Sequence, residues 1–172
     1  AFYNNVLGEY EKFITDYFGF DKVLPMNTGA EGVETAIKIC RKWAYEKKGI
    51  TEKQAQIIVL ENNFHGRTTT VISFSNDPDA RKNFGPYTPG FIKIPYNDIE
   101  AVHELVKANK DDIAAIIVEP VPGNMGCIIP KNGFLEDLRN ICDRENIVLI
   151  FDEVMTGFRL SFGGVQKLLG VD

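Results

Sequence analysis

The sequence predicts an α/β fold in which a mainly parallel sheet is flanked by helices, and three observations predict it. The runs at 55–60, 113–118 and 147–154 are apolar and largely β-branched, the pattern of strands buried on both faces. Between them lie longer stretches with apolar residues at helical spacing, as crossovers in a parallel sheet require. Each run then gives way to polar, glycine- or proline-bearing sequence at its carboxyl end, where open α/β sheets bind their ligands. At 172 residues the chain fits one domain that could bury roughly 70% of its unfolded surface.

From residue 4 to residue 18, Val6, Leu7, Tyr10, Phe13, Ile14, Tyr17 and Phe18 recur at helical spacing with charged residues between them, so a surface helix with one buried stripe is expected. Gly19 ends it, and 22–26 is a short strand candidate. Asn27, Thr28, Gly29, Ala30, Glu31 and Gly32 then open a helix over 33–48, with Val33, Ala36, Ile37, Cys40, Trp43 and Ala44 inward. A small-residue loop at a helix start leaves backbone N–H groups free, and with the helix dipole they form an anion site suited to phosphate. Many such loops, however, serve only to turn tightly.

The strand at 55–60 is followed by Asn62, Asn63, Phe64, His65, Gly66 and Arg67 and then by a short helix over 68–74. Phe64, just past a strand end, can stack on a planar ligand. Arg67 can clamp a carboxylate bidentately. His65, alone in a loop, reads as a hydrogen-bonded structural residue rather than a base. Residues 76–90, with Pro78, Gly85, Pro86, Pro89 and Gly90, read as loop throughout. A brief strand at 91–95 precedes Asn97 and Glu100, whose spacing resembles a capping box opening a helix to Asn109, with His103 on its solvated side. The strand at 113–118 ends in Glu119 and Pro120. A loop at 121–130, rich in glycine and proline, shares its sheet edge with Asp152. A helix over 133–146, with Phe134, Leu135, Leu138, Ile141 and Cys142 inward, leads into the strand at 147–154, a loop at 156–159 and a short helix at 161–169.

The run at 147–154 delivers two carboxylates at its end. Alternation along a strand puts Asp152 and Val154 on one side, with Phe151 and Glu153 on the other. A buried carboxylate is costly unless a cationic or strongly donating group meets it. The protonated nitrogen of a flat heterocycle would suit, with Val154 packed on its face. The plain alternative is an aspartate capping the next turn.

A net charge of −5 gives no reason to expect nucleic acid or an anionic membrane as partner. No apolar run approaches transmembrane length. Cys40, Cys127 and Cys142 are odd in number, lie in apolar surroundings and lack C-x-x-C pairing, so they read as reduced thiols in a reducing compartment, and no metal site is expected. The chain begins at Ala1 directly before a helical pattern and is read as a segment of something longer. Its parent is expected in the cytoplasm, or in the mitochondrial matrix of a eukaryote.

Four motifs in order, N-T-G-A-E-G-V-E-T-A at 27–36, N-F-H-G-R-T at 63–68, V-E-P-V at 118–121 and F-D-E-V-M-T-G-F at 151–158, resemble the class III, fold-type I aminotransferases that use pyridoxal 5'-phosphate. The resemblance covers essentially the whole chain and implies the large-domain portion of such an enzyme, working as a homodimer on small amino-acid and 2-oxo-acid substrates. It implies that Gly29 and Ala30 donate to the cofactor phosphate, assisted by Thr28. It also implies that Phe64 stacks on the pyridine ring, Val154 packs on its other face, Asp152 pairs with the protonated ring nitrogen and Arg67 binds substrate carboxylate. Residues 1–100 are similar to the branch acting on the terminal amine of ornithine. Residues 118–171 are similar to the aminomutase branch that isomerises glutamate-1-semialdehyde. In place of the Glu and Gln of the ornithine branch stand Asn124 and Met155. Methionine cannot donate a hydrogen bond to the cofactor's phenolic oxygen, whereas the Asn124 amide can, so Asn124 joins the expected cofactor contacts. The lysine that carries the cofactor covalently is expected beyond residue 172, since Lys167 reads as solvated. Three readings therefore stay open: an ω-amino-acid aminotransferase, an aminomutase, and a non-catalytic segment retained for binding or assembly.

Overall fold

Four parallel strands build the centre of the molecule, in a computed structural model that describes residues 4–171; residues 1–3 and Asp172 lie outside it. The strands are β1 (Gln56–Leu60), β2 (Phe91–Ile94), β3 (Ile113–Val118) and β4 (Val148–Phe151), in the order β2-β1-β3-β4. Val59 lies opposite Lys93 on one side and Ile117 on the other, and Ile117 lies opposite Ile150; the register between β1 and β3 shifts once, between Gln56 and Ile57. Among the described residues the α-helices are α1 (Leu7–Phe18), α2 (Gly29–Trp43), α3 (Pro78–Arg81), α4 (Ile99–Asn109), α5 (Phe134–Glu145) and α6 (Gly164–Leu169).

Alternation sorts the strand side chains into two cores. Ile57, Val59, Ala115 and Ile117 face Val33, Ile37 and Cys40 of α2. Ile58, Leu60, Ile116 and Val118 face Val102 and Val106 of α4 and Leu135, Leu138 and Ile141 of α5. Helices therefore cover both faces, which is why β3 is buried at all six positions and carries no polar residue. Parallel strands bring their carboxyl ends to one edge. Because α2 precedes β1 and packs antiparallel to it, the N-terminus of α2 returns to that same edge.

Several expectations need correction. The apolar stripe of α1 is not buried: Phe13 is 61% exposed and no residue of the helix is fully covered among the described residues. Residues 22–26 form no strand, because the segment contains Pro25, is mostly exposed and pairs with nothing in the sheet. The helix expected from residue 33 begins at Gly29 and ends in a wider π-helical turn at Ala44–Lys48. The helix expected over 68–74 shrinks to a 3-10 turn at Val71–Ser73, behind three successive threonines that disfavour helix. Within the expected loop at 76–90, Asp77 caps the one-turn α3 with Pro78 in the first turn. Asp98, not Asn97, caps α4 by accepting the Ala101 N–H at 3.0 Å. α6 starts at Gly164 rather than 161. Cys127 is exposed, whereas Cys40 and Cys142 are buried, their thiols pushed up to about 11 and about 12 by desolvation.

Candidate functional site

The ends of β1, β3 and β4 meet the start of α2 around a pocket of about 180 Å³. Each contributor arrives there for a local reason. Thr28 takes an extended conformation and its hydroxyl accepts the Glu31 N–H at 3.1 Å, while the Glu31 carboxylate reaches back to the Asn27 N–H at 2.8 Å. Capping thus satisfies the third turn amide and leaves those of Gly29 and Ala30 with no intrahelical partner, at the positive end of the helix dipole. Both residues line the pocket. An anion with several acceptor oxygens fits this end.

Opposite lies Asp152, immediately after β4, its side chain only 6% exposed. One carboxylate oxygen accepts the Val154 N–H at 3.1 Å, and the other lies 2.7 Å from His65 Nδ1. The His65 side chain is fully buried and its Nε2 has no partner. A buried ring nitrogen left unpaired is tolerated better as an acceptor than as an N–H, so the proton belongs on Nδ1, facing Asp152. Two donors therefore hold the carboxylate in place, and its remaining acceptor capacity serves the pocket. Cationic side chains are absent from the pocket lining among the described residues. A donor on a ligand, above all a charged one, would be the natural partner.

The walls are apolar and closely fitted. Val154 lies against Gly29 so tightly that a Cβ there would stand 2.6 Å from Val154 Cγ2; only glycine lets the turn after β4 sit on the start of α2. Gly66, at φ +110°, lets the 62–67 loop pass over Ala30, where an added Cβ would come within 3.0 Å of the alanine methyl. Phe64 lines the pocket from that loop, and its N–H donates to Glu119 at 2.8 Å. Burial raises the Glu119 carboxyl above the usual range and Asp152 adds to the rise, against the pull of the Phe64 N–H and His65.

Gly29, Ala30, Phe64, Asp152 and Val154, singled out from the sequence, thus share one pocket. Three others do not join them. The Thr28 hydroxyl is committed to capping α2. Arg67 is exposed and stacks its guanidinium 4.9 Å from the Phe64 ring centre, so it borders a separate surface hollow with Asp77 and Asp79. Asn124 is exposed at the tip of a tight turn closed by Gly126 N–H to Gly123 and Cys127 N–H to Pro122, and Met155 fills the pocket wall beside Gly123 instead. Two further lining residues, His65 and Glu119, do not emerge as site residues from the sequence. Glu119 carried the same signal as Asp152, a carboxylate ending an apolar strand, whereas nothing local revealed that His65 meets a residue 87 positions away.

The pocket offers donors for an anion at one end, a donor-held carboxylate at the other, and apolar walls between. These features fit a flat heterocycle carrying a phosphate and a basic ring nitrogen. No lysine lines the pocket, Lys167 is exposed, and no cluster of three potential metal ligands occurs among the described residues. Nor is any described helix long and apolar enough to cross a membrane.

A profile of the class-III aminotransferases matches residues 1–164. Ornithine aminotransferase of Oceanobacillus iheyensis is 54% identical over 158 residues, 92% of this chain and 39% of that protein. The mitochondrial ornithine aminotransferase of Drosophila ananassae is 50% identical over 172 residues, all of this chain and 38% of that protein. Among solved structures, an ornithine aminotransferase from Toxoplasma gondii, recorded with partial occupancy of pyridoxal phosphate at its active site, superposes with a TM-score of 0.88 at 46% identity, over 91% of this chain and 36% of that one. Acetylornithine aminotransferase from Elizabethkingia anophelis superposes at 0.76 with 58% identity, over 91% and 37%. The chain spans less than two fifths of the length of these relatives.

Proposed function

Because this chain belongs to the class-III aminotransferase family, we propose that it is the cofactor-binding part of the large domain of a pyridoxal-phosphate enzyme that transfers the terminal amine of ornithine, or of a similar ω-amino acid, to a 2-oxo acid. The observation that carries this reading is a single pocket joining the free amides of Gly29 and Ala30 to the buried Asp152 carboxylate. The amides bind the phosphate, and Phe64 and Val154 hold the ring between them. When bound, the cofactor supplies an electron sink for the bond broken at the substrate's amino carbon. Asp152 keeps a proton at the ring nitrogen, which is what makes the sink effective. His65 holds Asp152 in position, and the apolar walls keep water from competing for its carboxylate.

The lysine that completes the chemistry belongs to a part of the enzyme outside these 172 residues. Arg67 stands one ring away from the pocket, so a substrate carboxylate would meet it by reaching past Phe64. The whole enzyme is a homodimer, a reading supported by exposed Phe13, Phe158 and Phe162. It works in the cytoplasm or, in a eukaryote, in the mitochondrial matrix, as the names of the insect relatives suggest. Met155 at the pocket wall and Asn124 outside it favour one second reading, the aminomutase, because neither supplies a carboxylate that would orient a diamine.

The test is to add pyridoxal phosphate, ornithine and a 2-oxo acid to the full-length protein. A cofactor absorbance change followed by an aldehyde product that depends on the 2-oxo acid is expected. An amino shift within glutamate-1-semialdehyde without any 2-oxo acid would favour the aminomutase, and no absorbance change would reject both.

A further inference from the structure

The loop that carries Phe64 is fastened by an acid that none of the roles above uses. Glu119 follows β3, is 8% exposed, and makes one hydrogen bond among the described residues, accepting the Phe64 N–H at 2.8 Å. No lysine or arginine among the described residues pairs with it, burial outweighs the pull of His65, and Asp152 nearby repels it. Burying a carboxyl with so little return is unfavourable, and a stable fold could close β3 more simply with an apolar residue. The position explains the choice. β1 and β3 are neighbours in the sheet, and Phe64 lies four residues beyond the end of β1, where no ladder bond can fix its backbone. A side chain reaching across from the adjacent strand end can. It must be long enough to span the gap and must present an acceptor.

We propose that Glu119 is a positioning residue, which sets the orientation of Phe64 over the cofactor ring by anchoring the Phe64 backbone to β3. This rests on the cofactor reading given above. What matters is the length of the side chain and its acceptor oxygen, rather than its charge. Gln keeps both. Asp keeps the charge but is one methylene too short.

The experiment compares Glu119→Gln and Glu119→Asp in the full-length protein, using pyridoxal phosphate as the probe. Three quantities are measured alongside the thermal midpoint: the cofactor's induced circular dichroism, its dissociation constant, and deuterium uptake of the peptide spanning 61–67. Glu119→Gln should match the unsubstituted protein in all three. Glu119→Asp should weaken cofactor binding by about tenfold, as the loss of one hydrogen bond to a charged or buried group implies, while reducing the dichroism and speeding exchange in the loop. The proposal is overturned if Asp behaves normally and Gln does not, since charge would then be the operative property. It is equally overturned if both variants lower only the thermal midpoint, since Glu119 would then be merely structural. If the unsubstituted protein gives no cofactor signal, the functional reading fails separately, and loop exchange still judges the anchor.

Discussion

Asp152 illustrates how a single buried acid can be both stable and available. Its two protein donors, the Val154 N–H and His65 Nδ1, satisfy part of its acceptor capacity and fix its direction, leaving the rest for a ligand. Removing His65 should therefore matter although the imidazole need not touch the cofactor. We expect His65→Ala in the full-length protein to raise the dissociation constant for pyridoxal phosphate by about tenfold, because Asp152 loses a donor and its fixed rotamer. His65→Asn, whose side-chain amide can still donate, should recover most of the loss. Equal affinity in all three proteins, read by titrating cofactor absorbance, would mean that Asp152 is positioned without the imidazole. This partnership was not visible in the sequence. A histidine alone in a loop reads as hydrogen-bonded, and it is, but a contact across 87 residues leaves no local trace. Arg67 and Asn124 do not line the pocket for a related reason, since the direction of a loop side chain depends on turns and stacking that residue type does not encode.

At the scale of elements, the site depends on how closely the turn after β4 approaches the start of α2. The contact between Gly29 and Val154 sets that approach. A Cβ at position 29 would stand 2.6 Å from Val154 Cγ2, so the valine side chain or the turn that carries it must shift. Gly29→Ala should consequently leave α2 intact, since alanine is the better helix former, yet weaken cofactor binding by about tenfold or more. Gly29→Ala combined with Val154→Ala should bind more tightly than Gly29→Ala alone, because the smaller wall restores room. Additive losses in that double mutant, measured by the same titration, would show that the close approach is not what shapes the phosphate end. Strands were the elements most legible beforehand. A run such as Ile113–Val118 has no polar residue to show water and can only be buried. Helical periodicity is less informative: α1 has its apolar stripe where expected, but periodicity cannot say what covers it, and the described residues cover it only in part, Phe162 and Phe158 meeting Tyr17 and Phe18.

In the molecule as a whole, parallel strands do the gathering. Helices on both faces force every strand to run the same way, so residues 29, 64, 119 and 152, far apart in the chain, end at one edge. That convergence could be anticipated from alternating strand and helix patterns, and it justified looking for a site at the ends of the apolar runs. The shape of the pocket could not, because it is set by Gly29, Gly66 and the burial of His65, each of which takes its meaning from a neighbour distant in sequence. One small molecule must bridge the α2 amides and Asp152. A structure of the full-length protein with pyridoxal phosphate bound tests this most directly. The ring nitrogen is predicted within about 2.7–2.9 Å of the Asp152 carboxylate, with the phosphate on the Gly29 and Ala30 amides. A phosphate held elsewhere, or a ring nitrogen beyond hydrogen-bond reach of Asp152, would contradict it.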